Sequence, residues 1–176
     1  MRRIASLVLT GALVAACAPG QDRGLSPDHV HAMRDSVTQF VESIPDGLAA
    51  GGPTSWLRFF ESTPAFFMAS DGQVAFPGYD SAQAFLDVFS RSVSGMELVW
   101  ESLRVEPLAP GAAAVAAAYR ESITDTAGAT VSFGGYMTGV ARNTAGAWRL
   151  QSLHWSSPAP PAEKPQVSRA VSPGQT

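Results

Sequence analysis

The stretch AWRLQSLHWS, Ala147 to Ser156, decides the fold together with the strand-like run Thr130 to Arg142, onto which Asn143-Thr144-Ala145-Gly146 turns it back. Successive side chains on a strand point to opposite faces of a sheet. Strict alternation therefore puts Trp148, Leu150, Ser152, His154 and Ser156 on one face and Ala147, Arg149, Gln151, Leu153 and Trp155 on the other. The face without arginine is expected to look inward. In the preceding run the matching inward set is Phe133, Gly135, Met137, Gly139 and Ala141, with Tyr136, Thr138, Val140 and Arg142 outside. A slip of one residue exchanges the two sets.

Upstream of this pair, Pro110-Gly111 turns the chain into Ala112 to Thr124, whose odd positions Val115, Ala117, Tyr119, Glu121 and Ile123 oppose Ala116, Ala118, Arg120 and Ser122. Arginine again marks the outside. Met96 to Pro107 is long enough for one bent strand, with Leu103 and Val105 as its clearest inward positions. Ala65 to Ser70 and Gln73 to Phe76, separated by Asp71-Gly72, read as a hairpin, because Asp-Gly supplies the tight turn that antiparallel strands need.

Three helices precede or interrupt these strands. Ser26-Pro27-Asp28 has an N-cap, a proline where a missing N-H costs nothing, and an acid in the first turn. Val30, Met33, Val37, Phe40, Val41 and Ile44 then recur at helical spacing, and Pro45 with Gly47 is expected to end or kink the helix. Thr54 opens a second short helix carrying Trp56, Leu57, Phe59 and Phe60. Asp80 or Ser81 opens a third, with Ala84, Phe85, Val88, Phe89 and Val93 as its expected buried side.

The bounds of the chain limit its functions. At 176 residues, 45% hydrophobic and 15% charged, it makes one ordinary domain plus tails. The formal charge of −3 includes Arg2 and Arg3, and a chain beginning at Cys17 carries −5. Phosphate backbones need a basic surface, so no nucleic-acid partner is expected. Cys17 is the only cysteine, which excludes an intrachain disulfide and a thiolate-rich metal site. His29 and His31 lie two apart on a helix and cannot share a face as ligands, so no metal is expected there.

Met1 to Cys17 has the layout of an export signal, with Arg2 and Arg3, an apolar run from Ile4 to Val14, and small residues before Cys17. The apolar run is too short to span a bilayer. Residues 1–16 are read as the signal and 17–25 as a short polar tether. Residues 26–157 are read as the domain. Residues 158–176 form a Pro/Ala/Ser-rich tail too poor in apolar residues to order itself.

Two resemblances follow from these residues. Leu13-Val14-Ala15-Ala16-Cys17 resembles a bacterial lipobox, which implies lipidation of Cys17, a membrane partner through that lipid, and a cell-envelope location; the alternative is an ordinary secretory signal cleaved nearby. Ala18 at the next position favours the outer membrane where one exists. Three helices, a hairpin between the second and third, and a four-strand meander resemble the cone-shaped folds related to nuclear transport factor two. The ending Gly146-Ala147-Trp148-Arg149-Leu150 with His154-Trp155-Ser156 resembles the SnoaL-like and calcium/calmodulin-kinase-association-type members. Gly52-Pro53, Trp56-Leu57, Met68 to Gly72 and Gly135 to Gly139 also look like a bacterial group of such proteins. The resemblance implies an α+β fold, three N-terminal helices packed on a curved antiparallel sheet of about six strands, with a pocket on the concave face. It also implies a homodimer through the outer sheet face, where Tyr136, Leu153 and Trp155 are expected beside Ala116 and Ala118.

Keeping inward faces together sets Tyr119 and His154 on either side of Gly135, about 10 Å apart, where the missing side chain is expected to leave room for a ligand, with Glu121, Phe133 and Ser156 one row nearer the mouth. The expected ligand-binding set adds Trp56, Phe60, Met68, Trp100 and Met137. His154 has a second reading as a core histidine bonded to Glu121 or Ser156, Tyr119 as a packed ring with its hydroxyl at the rim, Glu121 as a solvated edge charge, and the aromatic and methionine set as plain core. Catalytic candidates are His154, Glu121 and Tyr119, with no cofactor expected. Three functions stand: a pocket for a small, mostly apolar molecule; a cofactor-independent lyase, isomerase or hydrolase using Glu121 and His154; and a dimerisation scaffold with a filled pocket. Asp71 and Asp125 are assigned to turn chemistry.

Overall fold

The computed structural model describes residues 25–158. The expected signal 1–16, Cys17, the tether as far as Gly24 and the tail from residue 159 lie outside them. Helix α1 spans Pro27–Gly51, a 3-10 helix spans Pro53–Arg58, and strands β1 (Phe67–Ser70) and β2 (Gln73–Phe76) form a hairpin. Helix α2 follows at Tyr79–Phe89, then β3 (Val93–Ala109), β4 (Ala112–Asp125), β5 (Thr130–Thr144) and β6 (Ala147–Ser156). No helix among the described residues is long and apolar enough to cross a membrane.

Helix α1 starts as its sequence dictates, with the Ser26 hydroxyl accepting from the His29 N-H and Pro27 in the first turn. Its stripe of Val37, Val41, Ile44 and Leu48 is fully buried, each side chain contributing about 1.5 to 3 kcal/mol by leaving water. Pro45 neither ends nor visibly limits the helix, which continues to Gly51. A proline there cannot donate to the Val41 carbonyl one turn back. The Trp100 indole N-H of β3 donates to that carbonyl instead, at 2.9 Å, so a tertiary bond fills the place of the missing helical one. Gly52, at φ 67°, then ends the helix by donating to the Leu48 carbonyl.

The six strands form one sheet in the order β2-β1-β6-β5-β4-β3. Every neighbouring pair is antiparallel except β1 and β6, which run parallel, so the sheet is mixed rather than wholly antiparallel. The α+β architecture of N-terminal helices on six strands is otherwise the expected one. Helix α2 buries Ala82 and Leu86, while Phe85 and Val88 of its expected buried side are exposed at 51% and 65%. The second helix is 3-10 and lets Trp56 stack on Phe60.

Two β-bulges set which side chains reach the interior. Strand β4 alternates without a break, and Val115, Ala117, Tyr119 and Glu121 are all buried. In β3 the register slips between Trp100 and Ser102, so the inward set changes from Leu98 and Trp100 to Leu103 and Val105. In β6 it slips between Leu150 and Ser152, opposite Ala141 and Val140, leaving Gln151 unpaired. An extra residue reverses the alternation beyond it. Trp148 and Leu150 face inward before the bulge, as expected, and Leu153 and Trp155 face inward after it. Leu153 is 3% exposed, Trp155 packs edge-on against Trp56, and His154 is exposed. The expectation of an inward His154 and an outward Leu153 and Trp155 is corrected by that one residue. The outer face consequently carries Tyr136, Ala116 and Ala118 without the two side chains expected to enlarge its apolar patch.

Candidate functional site

A cavity of about 300 Å³ opens between the inner sheet face, the 3-10 helix and α2. Three groups of residues build it. Trp56 and Phe60 come from the 3-10 helix and the turn after it, stacked at 5.4 Å, and Trp155 of β6 meets Trp56 at 5.7 Å and 84°. The edge contact of Tyr119 with Trp155, at 4.7 Å between ring centroids, extends this wall across the sheet. Phe76, Phe85 and Phe89 form a second aromatic row with successive centroid distances of 5.4 and 5.5 Å. Met68, Met96, Ile123 and Phe133 complete the apolar lining.

The polar groups are few, Ser70, Asp71, Tyr119, Glu121 and Ser157, and the two carboxyls are the only charged ones among them. Glu121 of β4 sits opposite Leu98 and Phe133 in the ladder and is 8% exposed. It makes no hydrogen bond or ion pair among the described residues, and no buried side-chain oxygen there is both sealed from solvent and unpartnered. Its carboxyl oxygens must therefore reach the cavity space. Burial pushes its pKa from 4.5 up to about 7, because an apolar surround penalises the charged form.

Tyr119 lines the same cavity two residues earlier on the strand. Burial pushes its phenol up, a hydrogen bond with Ser157 pulls it down, and the Glu121 and Asp71 carboxylates push it up. Asp71 occupies the β1–β2 turn at φ 48°. Its N-H donates to the Trp155 carbonyl at 3.1 Å, and its Oδ1 accepts from the Ser157 N-H at 2.7 Å. Turn chemistry thus explains its conformation, yet the same residue ties the hairpin to the end of β6 and puts a second carboxylate on the cavity wall.

Of the residues expected at the site, Trp56, Phe60, Met68, Tyr119, Glu121 and Phe133 line this cavity. Trp100 stands behind it, stacked on Trp155 at 6.1 Å and bonded to α1. Met137 is fully buried core. His154 pairs with Thr138, not near Gly135, and faces solvent on the other side of the sheet, so it forms no acid/base pair with Glu121. Gly135 leaves no gap for a ligand. A Cβ there would fall on the Ser156 carbonyl oxygen, so this glycine admits the backbone at the end of β6, a close approach that any side chain would block. The Ser156 hydroxyl donates to the Tyr136 carbonyl at 3.3 Å and does not line the cavity. Sequence reasoning missed Trp155, Asp71, Ser157 and the α2 aromatics. Among the described residues no three His, Cys, Asp or Glu side chains converge as a metal-ligand set.

No protein-family model matches this sequence, and no curated protein matches it. Solved structures do. A nuclear transport factor 2 (NTF2-like) superfamily protein from Salmonella enterica serovar Typhimurium strain LT2 superposes with a TM-score of 0.62 at 16% identity, over 80% of this chain and 99% of that one. A candidate calcium/calmodulin-dependent protein kinase II association domain from Xanthomonas campestris gives 0.58 at 18% identity, over 70% and 86%. A candidate scytalone dehydratase from Novosphingobium aromaticivorans gives 0.59 at 11% identity, over 68% and 80%. At such identities the likeness establishes the NTF2-like fold and nothing finer.

Proposed function

We propose that this protein binds one small, mostly apolar molecule in the cavity between α2 and the inner sheet face, held at a cell-envelope membrane by lipid on Cys17. The observation that carries the binding reading is an aromatic and methionine-lined space of about 300 Å³ with a single deeply buried carboxyl reaching into it. Small-molecule sites combine such apolar walls with a few placed polar groups. A plain core would instead fill the space, since interiors pack nearly as densely as organic crystals. The anchor is supported by the lipobox-like residues before Cys17.

A titration with a fluorescent apolar probe tests the cavity. Wild type should bind one equivalent saturably, and Ile123→Trp, which fills the space from β4, should lose at least tenfold in affinity while keeping its thermal midpoint within a few degrees. Binding equal in both proteins would place the probe elsewhere and remove the proposal.

A second reading is cofactor-independent proton transfer at the same cavity. It is favoured by Glu121, whose raised pKa of about 7 suits a general base or acid near neutral pH. With His154 on the opposite face, its partner would be Tyr119. Turnover of candidate hydroxylated or ketonic substrates that vanishes in Glu121→Gln, and persists in His154→Ala, would support this reading over passive binding.

A further inference from the structure

The cavity has two carboxylates and no cation. Asp71 and Glu121 line it, and among the described residues no Lys, Arg or His does. Glu121 is more than nine-tenths buried and unpartnered, and its oxygens face the open space. A buried carboxylate without a counter-charge is costly unless something pairs with it, and here the chain itself supplies nothing. The same cavity is lined by the aromatic side chains of Trp56, Phe60, Tyr119, Phe133 and Trp155, and aromatic rings can attract a cation electrostatically.

Resting on the reading of this cavity as a binding site, we infer that its ligand is a lipophilic amine, bound as the ammonium against Glu121 with its apolar body between the aromatic walls. The ammonium provides the ion-pair partner that the fold withholds, and its N-H groups make charge-assisted bonds to the carboxylate. A lipophilic acid would bring a third negative charge into the same space. An alcohol of equal shape would gain the apolar walls and one neutral hydrogen bond only.

The amine must also impose a pH dependence. The groups facing the cavity that can titrate are Glu121 and Tyr119 from β4 and Asp71 from the β1–β2 turn; the 3-10 helix, α2 and β5 present apolar side chains there. Glu121, protonated below about pH 7 in the free protein, has to lose its proton when the ammonium arrives. Affinity should therefore fall by up to about tenfold for each pH unit below 7 and level off above it.

The test is isothermal titration of the wild-type protein with 4-phenylbutylamine, 4-phenylbutanol and 4-phenylbutyrate at pH 6 and pH 8. The expected result is an amine at least tenfold tighter than the alcohol at pH 8, a smaller preference at pH 6, and an undetectable acid. Buffers of different ionisation enthalpy should report release of close to one proton at pH 6. In Glu121→Gln the amine should lose its advantage over the alcohol. An alcohol that binds as tightly as the amine, or an acid that binds as well, overturns the inference and leaves the binding site standing. Failure of all three probes to bind overturns the inference together with the proposed function.

Discussion

Glu121 binds its proton more tightly in the folded protein, with a pKa of about 7, than the ordinary 4.5 of the unfolded chain. The stabilisation this gives is whole below pH 4.5 and is lost as pH rises through 7, because folding there must either take up a proton or bury a charge. The full swing is about 3 kcal/mol. Glu121→Gln should therefore flatten the fall in stability between pH 5 and pH 8 and leave the variant about 1 to 3 kcal/mol more stable at pH 8. Chemical denaturation of both proteins at the two pH values measures it, and parallel slopes would refute a buried, unpaired carboxyl. The inward Tyr119 and Glu121 are legible in the sequence because β4 alternates without interruption. Gly135 is not, since an absent side chain reads equally well as space for a ligand or as room for a backbone, and only the path of Ser156 decides between them.

At the scale of elements, the bulge in β6 and the proline in α1 are places where local rules and tertiary structure trade. The apolar residues of AWRLQSLHWS change phase, even-numbered at Trp148 and Leu150 and odd-numbered at Leu153 and Trp155. That slip is the signature of an extra residue. Strict alternation carried through Gln151 turns His154 inward and misplaces half the strand. Pro45 shows the opposite case, where a helix breaker is tolerated because Trp100 satisfies the carbonyl it orphans. Trp100→Phe should cost about 1 to 2 kcal/mol for that bond alone. Pro45→Ala, which restores a helical N-H to Val41, should make the same substitution cheaper by about 1 kcal/mol in a double-mutant cycle. Additive losses in urea melts would mean that the indole bond does not compensate for the proline.

For the whole molecule, the order of helices and strands was readable from turns, caps and periodicity, and it led to the right architecture. The parallel neighbour of β1 was not readable, because strand pairing at a distance leaves no local mark. Two proposals belong to this scale. The proposed lipidation at Cys17 predicts that Cys17→Ser moves the protein from the membrane fraction to the soluble one and abolishes labelling by palmitate; a variant that stays membrane-bound removes the anchor. We also propose a homodimer through the outer sheet face, supported by Tyr136, which is 66% exposed beside Ala116 and Ala118. Sedimentation should show wild type as a dimer and Tyr136→Glu as a monomer, and a wild type that is monomeric at high concentration disposes of the idea.

The sheet order carries one more consequence. Strand β6 is the last strand among the described residues, yet it lies inside the sheet between β1 and β5, and backbone bonds at its end tie it to the Asp71 turn. Until the residues of β6 leave the ribosome, β1 and β5 lack this neighbour and Trp155 is missing from the cavity wall. Completion is thus an all-at-once event of long sequence separation, and such contacts form slowly. A nascent chain of this design should stay threadable until β6 is made, a property that would serve the proposed export. Stalled chains ending at Gly146 should accordingly be digested by protease as fast as an unfolded control, and protection of such chains would show that the other strands close without it.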